Sequence, residues 1–163
     1  MKRLLLLLAA VMCFSVANAQ KGEMAAGVNF NFGTAYTGAY SNMGIGLKYQ
    51  YLITDHFRIE PAFTYYFKKD YISMWDVMAN VHWVFHMADN KLNLYPLVGL
   101  GVLGAKASVF GYSASTTNFG INLGGGVEYK VHEHIAIGAE LKYAIVGNSY
   151  SHLGIQIGAT YLF

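Results

Sequence analysis

Large apolar side chains alternate with glycine and small polar ones along the end of the chain, where Leu153, Ile155, Ile157, Ala159, Tyr161 and Phe163 are interleaved with Gly154, Gln156, Gly158 and Thr160. Side chains of a strand point to opposite faces with a period of two, so this segment has one oily and one polar face. The same period returns in segment after segment, at about residues 23–33, 42–53, 57–67, 75–86, 91–104, 118–130, 135–146 and 152–163. Helical periodicity is poor throughout, and the chain reads as all-β.

Short turns at 54–56, 87–90 and 131–134 alternate with longer connections at 34–41, 68–74, 105–117 and 147–151, the longest of which contains the small polar run Ser113-Ala-Ser-Thr-Thr117. Eight consecutive hairpin-linked strands of about 10–13 residues suit a closed, antiparallel, up-and-down barrel. Register is least constrained in the segment at 91–104. Pro61, on the oily face of the third segment, costs one ladder hydrogen bond unless a bulge absorbs it.

Composition narrows the setting. Hydrophobic residues make up 55 % and charged residues 12 % of the chain, against a usual charged share of about 25 %. Lys2-Arg3, an apolar run to about Phe14 and Ala17-Asn18-Ala19 form a secretory signal peptide over residues 1–19, leaving residues 20–163 as a single domain. A lipoprotein anchor at Cys13 is disfavoured, because Met12 stands where a small residue is wanted. Cys13 is the only cysteine, so the mature chain has none to form a disulfide. Removing Lys2 and Arg3 from the 11 basic residues leaves 9, equal to the 9 acidic ones, and a formally neutral domain implies no nucleic-acid partner. Beyond the leader no apolar run reaches the ~18 residues of a membrane-spanning helix. An oily exported chain of this kind is either a transmembrane barrel or a soluble barrel that buries its oily face.

The contents of the two faces decide between them. The polar face carries Lys48, Arg58, Glu60, Asp76, Glu128, Lys130, Glu140 and Lys142, four of each sign, set among glycines. Charged side chains in water need no glycine beside them, whereas inside a narrow barrel long side chains fit only beside small ones. With the turn centred near Glu133, Gly126 faces Glu140 and Gly124 faces Lys142, so the charged face is assigned to the lumen. The oily face sets aromatics such as Trp83, Tyr129 and Phe163 near the turn ends and Phe32, Phe67 and Trp75 near the loop ends, around an aliphatic band. Two aromatic belts match the two interfaces of a bilayer.

The hairpin from Gly124 to Tyr143 and the segment from Leu47 to Pro61 resemble the repeated strand-turn-strand signature of the small eight-stranded outer-membrane barrels, the OmpX-like and OmpA-transmembrane-domain-like, porin-like family. The ending through Tyr161 and Phe163 is similar to the C-terminal signal read by the β-barrel assembly machinery. The resemblance covers the whole mature chain. It implies a monomer in the outer membrane of a Gram-negative-type cell, in contact with its lipids and lipopolysaccharide, with the assembly machinery as partner during biogenesis. These motifs are specific for architecture and weak for activity.

Eight strands enclose a space that side chains nearly fill, so the balanced lumen charges are expected to pair into a salt-bridged plug, with a narrow or gated channel as the alternative. His82 and His86 share the lumen face and are expected to bond to the charge network. His132 and His134 could hold a metal, but solvated turn histidines are the simpler reading, and no metal or cofactor is expected. Asp76, Ser149, Ser151 and His152 contain the residue types of a hydrolase, yet Ser151 and His152 are adjacent and point to opposite faces. The His-x-Ser arrangement of lipid A deacylases is absent, so no catalytic residue is assigned. Lys68, Lys69 and Lys106 stand at the outer rim, where ammonium groups could meet lipopolysaccharide phosphates. The chain is thus expected to act as an envelope scaffold or surface-interaction protein through its loops; a narrow porin-like channel and a lipid A-modifying enzyme are the alternatives.

Overall fold

Period-two patterning becomes strands wherever one face meets lipid and the other a packed lumen. The computed structural model describes residues 22–34, 41–69, 72–109, 112–147 and 151–163. Its strands are β1 (Met24–Thr34), β2 (Ser41–Leu52), β3 (Phe57–Lys69), β4 (Ile72–Trp83), β5 (Phe85–Met87), β6 (Leu92–Val109), β7 (Tyr112–His132), β8 (Ile135–Val146) and β9 (His152–Leu162). Apart from β4 and β5, which do not pair with each other, consecutive strands pair antiparallel; β1 pairs with β9 and β4 with β6, so the sheet closes on itself. β5 continues β4 past a break at Val84, which makes this a closed eight-stranded all-β barrel.

The two faces are inverted relative to a water-soluble domain. Leu47 is 60 % and Leu100 57 % exposed on the outside, while Glu60 and His82, on the inside, are fully buried. An apolar band this continuous on a closed barrel is the surface lipid covers, and closure leaves no unpaired backbone within it. Among the described residues an apolar cluster lies toward the turn end of the lumen, where Val84, Tyr95 and Leu97 pack with Leu52.

Register follows the alternation even where it is least constrained by sequence. In β6, Leu94, Pro96, Val98, Leu100 and Val102 face out and Asn93, Tyr95, Leu97 and Leu103 face in. Pro61 is not absorbed by a bulge. Pairing of β3 with β2 is interrupted between Lys48↔Ala62 and Tyr51↔Ile59, and the same register resumes on the far side. On the lipid face Trp75 lies opposite Gly104, and a Cβ there would stand 2.6 Å from its indole Nε1, so the ring replaces the missing side chain.

The turn connections fall near the expected positions, and two loop assignments are corrected. β3 extends to Lys69 and β4 starts at Ile72, so most of the connection expected at 68–74 is strand. The connection expected at 105–117 is mostly hairpin, with β6 and β7 paired as far as Val109↔Tyr112. β8 pairs with β7 only from Gly120↔Val146 downward, so residues 112–119 of β7 project past their β8 neighbour. At the other end residues 88–91 turn through Ala88, Asp89 and Asn90, all left-handed with φ of 50°, 54° and 64°.

Candidate functional site

The lumen is the place where this sequence concentrates chemistry, and its centre is built from three strands. Lys48 on β2, Glu60 on β3, and Glu140 and Lys142 on β8 all point inward because each shares parity with the small or polar residues of its strand. Glu140 binds two cations on opposite oxygens, with Lys48 Nζ 2.9 Å from Oε1 and Lys142 Nζ 2.7 Å from Oε2. Glu60 takes the same two ammoniums at 3.4 Å and 3.8 Å. Tyr95 donates its hydroxyl to Glu140 Oε1 at 2.9 Å, and Gln50 donates to Glu60 Oε2 at 2.8 Å.

Toward the turn end a second group forms around Arg58. Its Nη1 lies 3.1 Å from Glu128 Oε1, which also accepts from Asn93 at 3.2 Å. Arg58 Nε and Nη2 both approach His82 Nδ1, at 3.2 Å and 3.1 Å. A guanidinium only donates, so Nδ1 is the acceptor nitrogen and the imidazole proton sits on Nε2, which faces Glu60 Oε1 at 3.7 Å. The Tyr95 ring stacks on His82 at 4.6 Å, and Arg58 lies 4.7 Å from its centroid.

Glycines make this packing possible in two different ways. Gly126 faces Glu140 in the β7–β8 register, and a Cβ there would sit 2.7 Å from Tyr95 Cζ and 2.8 Å from Glu140 Cγ. That glycine clears space for the side chains. Gly124 does face Lys142, but its Cβ would meet the backbone of Leu141 and Lys142, so this glycine allows close strand approach.

Of the eight charges assigned to the lumen, six form these two groups. Lys130 turns to the rim and pairs with Glu23 at 3.5 Å, a residue outside the expected set. Asp76 is 6 % exposed and accepts from Tyr66 Oη at 2.9 Å. Two cavities flank the central charges. One of about 40 Å³ at the loop end is lined by Asp76, Asn122, Lys142 and Gln156, among others; one of about 20 Å³ at the turn end is lined by Arg58, Glu128 and Lys130. Sequence reasoning missed Tyr95, Gln50, Tyr66 and Asn93 as members of the network; their inward parity was the available signal.

The family of outer-membrane protein β-barrel domains matches residues 4–163. The chain belongs to this family. It is a small outer-membrane β-barrel protein, and no curated protein matches it. Among solved structures it is similar to Neisserial surface protein A, NspA, at TM-score 0.66 and 16 % identity, covering 86 % of this chain and 95 % of that one. It is also similar to Ail, the attachment invasion locus protein of Yersinia pestis, at TM-score 0.60 and 23 % identity, covering 88 % and 98 %. Outer membrane protein H of Pseudomonas aeruginosa, OprH, follows at TM-score 0.65 and 12 % identity, covering 86 % and 99 %. At these identities the likenesses describe the shared fold.

In outer-membrane barrels short turns face the periplasm and longer connections the outside, which orients the remaining candidate residues. At the periplasmic mouth His86 sits between Asp55 O and Asn93 Oδ1, both at 2.7 Å, and so reaches the charge network through Asn93. His132 and His134 lie at the β7–β8 turn with their ring centroids 6.3 Å apart. A register shift separates Lys130 from His132, and His134 turns to Leu162 O at 3.2 Å and stacks on Tyr161. Tyr161 meets Phe163 edge to face at 5.5 Å, and Phe163 is 70 % exposed on the lipid face. At the outer end Lys68 and Lys106 are exposed, while the Lys69 side chain lies outside what is described, as do residues 1–21 and Ser149. His152 lines the outer cavity with Asp76.

Proposed function

We propose that this outer-membrane protein is a monomeric barrel with a salt-bridged plug, made with a leader over residues 1–19, and that it serves as an envelope scaffold or surface-interaction protein through its outer connections. One observation carries the plug: Glu140 is held simultaneously by Lys48 from β2, Lys142 from β8 and Tyr95 from β6, between two cavities that share no lining residue. At about 40 and 20 Å³, each cavity has room for a few waters at most.

The outer surface role rests on the projecting hairpin, where Ser115, Thr116 and Thr117 are all exposed and β7 presents an edge without a β8 neighbour among the described residues. Lys68, Lys69 and Lys106 are proposed to contact lipopolysaccharide phosphates, and Tyr161 and Phe163 to be read by the assembly machinery. A surface-binding role has a parallel in Ail, which has been crystallised with the heparin analogue sucrose octasulfate. The proposal includes no catalytic step. Planar-bilayer recording tests it: a silent membrane is expected, and reproducible single-channel steps would overturn the plug in favour of a narrow diffusion channel.

A further inference from the structure

The lumen charges do not cancel, and the remainder has a location. Lys48, Lys142 and Arg58 are matched by Glu60, Glu140 and Glu128, and Lys130 is matched by Glu23. Asp76 is left over: among the described residues its carboxylate makes no ion pair, and it is held by hydrogen bonds from neutral neighbours, the Tyr66 hydroxyl at 2.9 Å and Thr64 across the strand pair. An ionised carboxylate this deeply buried must be neutralised by a proton or a cation.

The cavity beside it brings several side-chain oxygens together, with His152 and Lys142 also on its wall. Gln156 is 4 % exposed, lines this cavity, and has no partner for its carbonyl Oε1. Asn31 uses its amide N–H on Asn29 at 2.9 Å, and Asn122 uses its own on Asn80 at 3.4 Å, which leaves their carbonyl oxygens for the space they line. Lys142 also lines it, but that ammonium is held 2.7 Å from Glu140, toward the mid-lumen. At about 40 Å³ the space takes an ion with one or two waters and excludes anything the size of a sugar or amino acid.

We propose that this outer vestibule is a binding site for a small monovalent cation of the sodium or potassium class, held by the Asp76 carboxylate and the Gln156, Asn31 and Asn122 amide oxygens. Hard alkali and alkaline-earth cations take oxygen ligands, and one carboxylate among neutral amides balances a single positive charge. Among the described residues no group of three or more acidic, histidine or cysteine side chains gathers as a multivalent ion would favour. The site does not depend on whether the lumen conducts.

Thermal unfolding of the refolded full barrel in a zwitterionic detergent, at slightly alkaline pH and constant ionic strength, compares sodium, potassium and choline chloride. The midpoint is expected to rise by about 2–4 °C from choline to the preferred alkali ion and then saturate. Asp76→Asn should abolish that response and Gln156→Leu should weaken it. Equal midpoints in the three salts, or an undiminished response in Asp76→Asn, would overturn the site and leave the carboxylate protonated. Should Asp76→Asn fail to fold, crystals of the wild-type barrel soaked in rubidium chloride decide: an anomalous peak beside Asp76 supports the site, and its absence overturns it.

Discussion

Glu140→Leu is the substitution that most directly tests the central charge group. It removes the anion that holds Lys48 at 2.9 Å and Lys142 at 2.7 Å, so two buried ammoniums must share Glu60, which lies 3.4 Å and 3.8 Å from them. It also strands the Tyr95 hydroxyl that donates to Glu140. Breaking a buried pair by removing one partner costs about 3–5 kcal/mol, because the partner's desolvation is left without compensation. Lys142→Leu alone leaves Lys48 between two carboxylates and should cost a similar amount. The double variant Glu140→Leu with Lys142→Leu leaves Lys48 facing Glu60 as a one-to-one pair. It should therefore recover part of the loss, with a coupling on the order of 1–3 kcal/mol.

Reversible urea unfolding of the barrel in detergent or lipid measures all four corners of this cycle. Lys130→Leu provides the internal control, because its partner Glu23 has a side chain 60 % exposed at the rim, and such a pair contributes no more than about 1 kcal/mol. Additive losses in the cycle, or a Glu140→Leu cost no larger than that of Lys130→Leu, would refute the reasoning that these charges act as one group.

Three further variants probe other parts of the packing. Gly126→Ala places a methyl 2.7 Å from the Tyr95 ring and should lower stability by about 1–3 kcal/mol in the same unfolding assay, with part of the loss relieved by Tyr95→Leu. His82→Leu removes the acceptor that two Arg58 nitrogens share and should cost about 1–3 kcal/mol, whereas His82→Gln, which keeps an acceptor, should cost less. Deleting Phe163, whose ring is 70 % exposed, should slow assembly into membranes far more than it destabilises barrels already inserted; unchanged assembly kinetics would remove its role as a signal.

The parity of nearly every strand was legible in the sequence, because a one-residue slip would exchange a lipid-facing set for a lumen-facing one. The Gly126↔Glu140 pairing was legible for a related reason: the turn between β7 and β8 is short enough to fix register from the chain itself. Partners across the barrel were not legible. Four cations and four anions on one face suggested complete mutual pairing, but Lys130 sits low enough to reach Glu23 near the N-terminal end of β1, and that leaves Asp76 near the outer mouth without a cation. Tyr95 was also hidden. Its role depends on Gly126 opposite it on β7 and on His82 beneath its ring, and neither contact follows from the sequence of β6 alone.

The projecting hairpin shows what the alternating pattern measures. Residues 119–123 of β7 alternate exposed and buried, with Phe119, Ile121 and Leu123 outward, and there the outer face meets lipid. Ser115, Thr116 and Thr117 are consecutively exposed, so both faces of the same strand meet water, and nothing selects apolar residues at every second position. Backbone pairing with β6 nevertheless continues to Tyr112, because the ladder needs a partner strand and not an oily face. The period-two signal therefore ends where the bilayer ends while the strand does not, which is why this stretch reads as a loop in the sequence. A short polar run between two alternating segments of such a barrel is accordingly as compatible with a raised hairpin as with an irregular loop, and pairing, which composition does not reveal, decides between them.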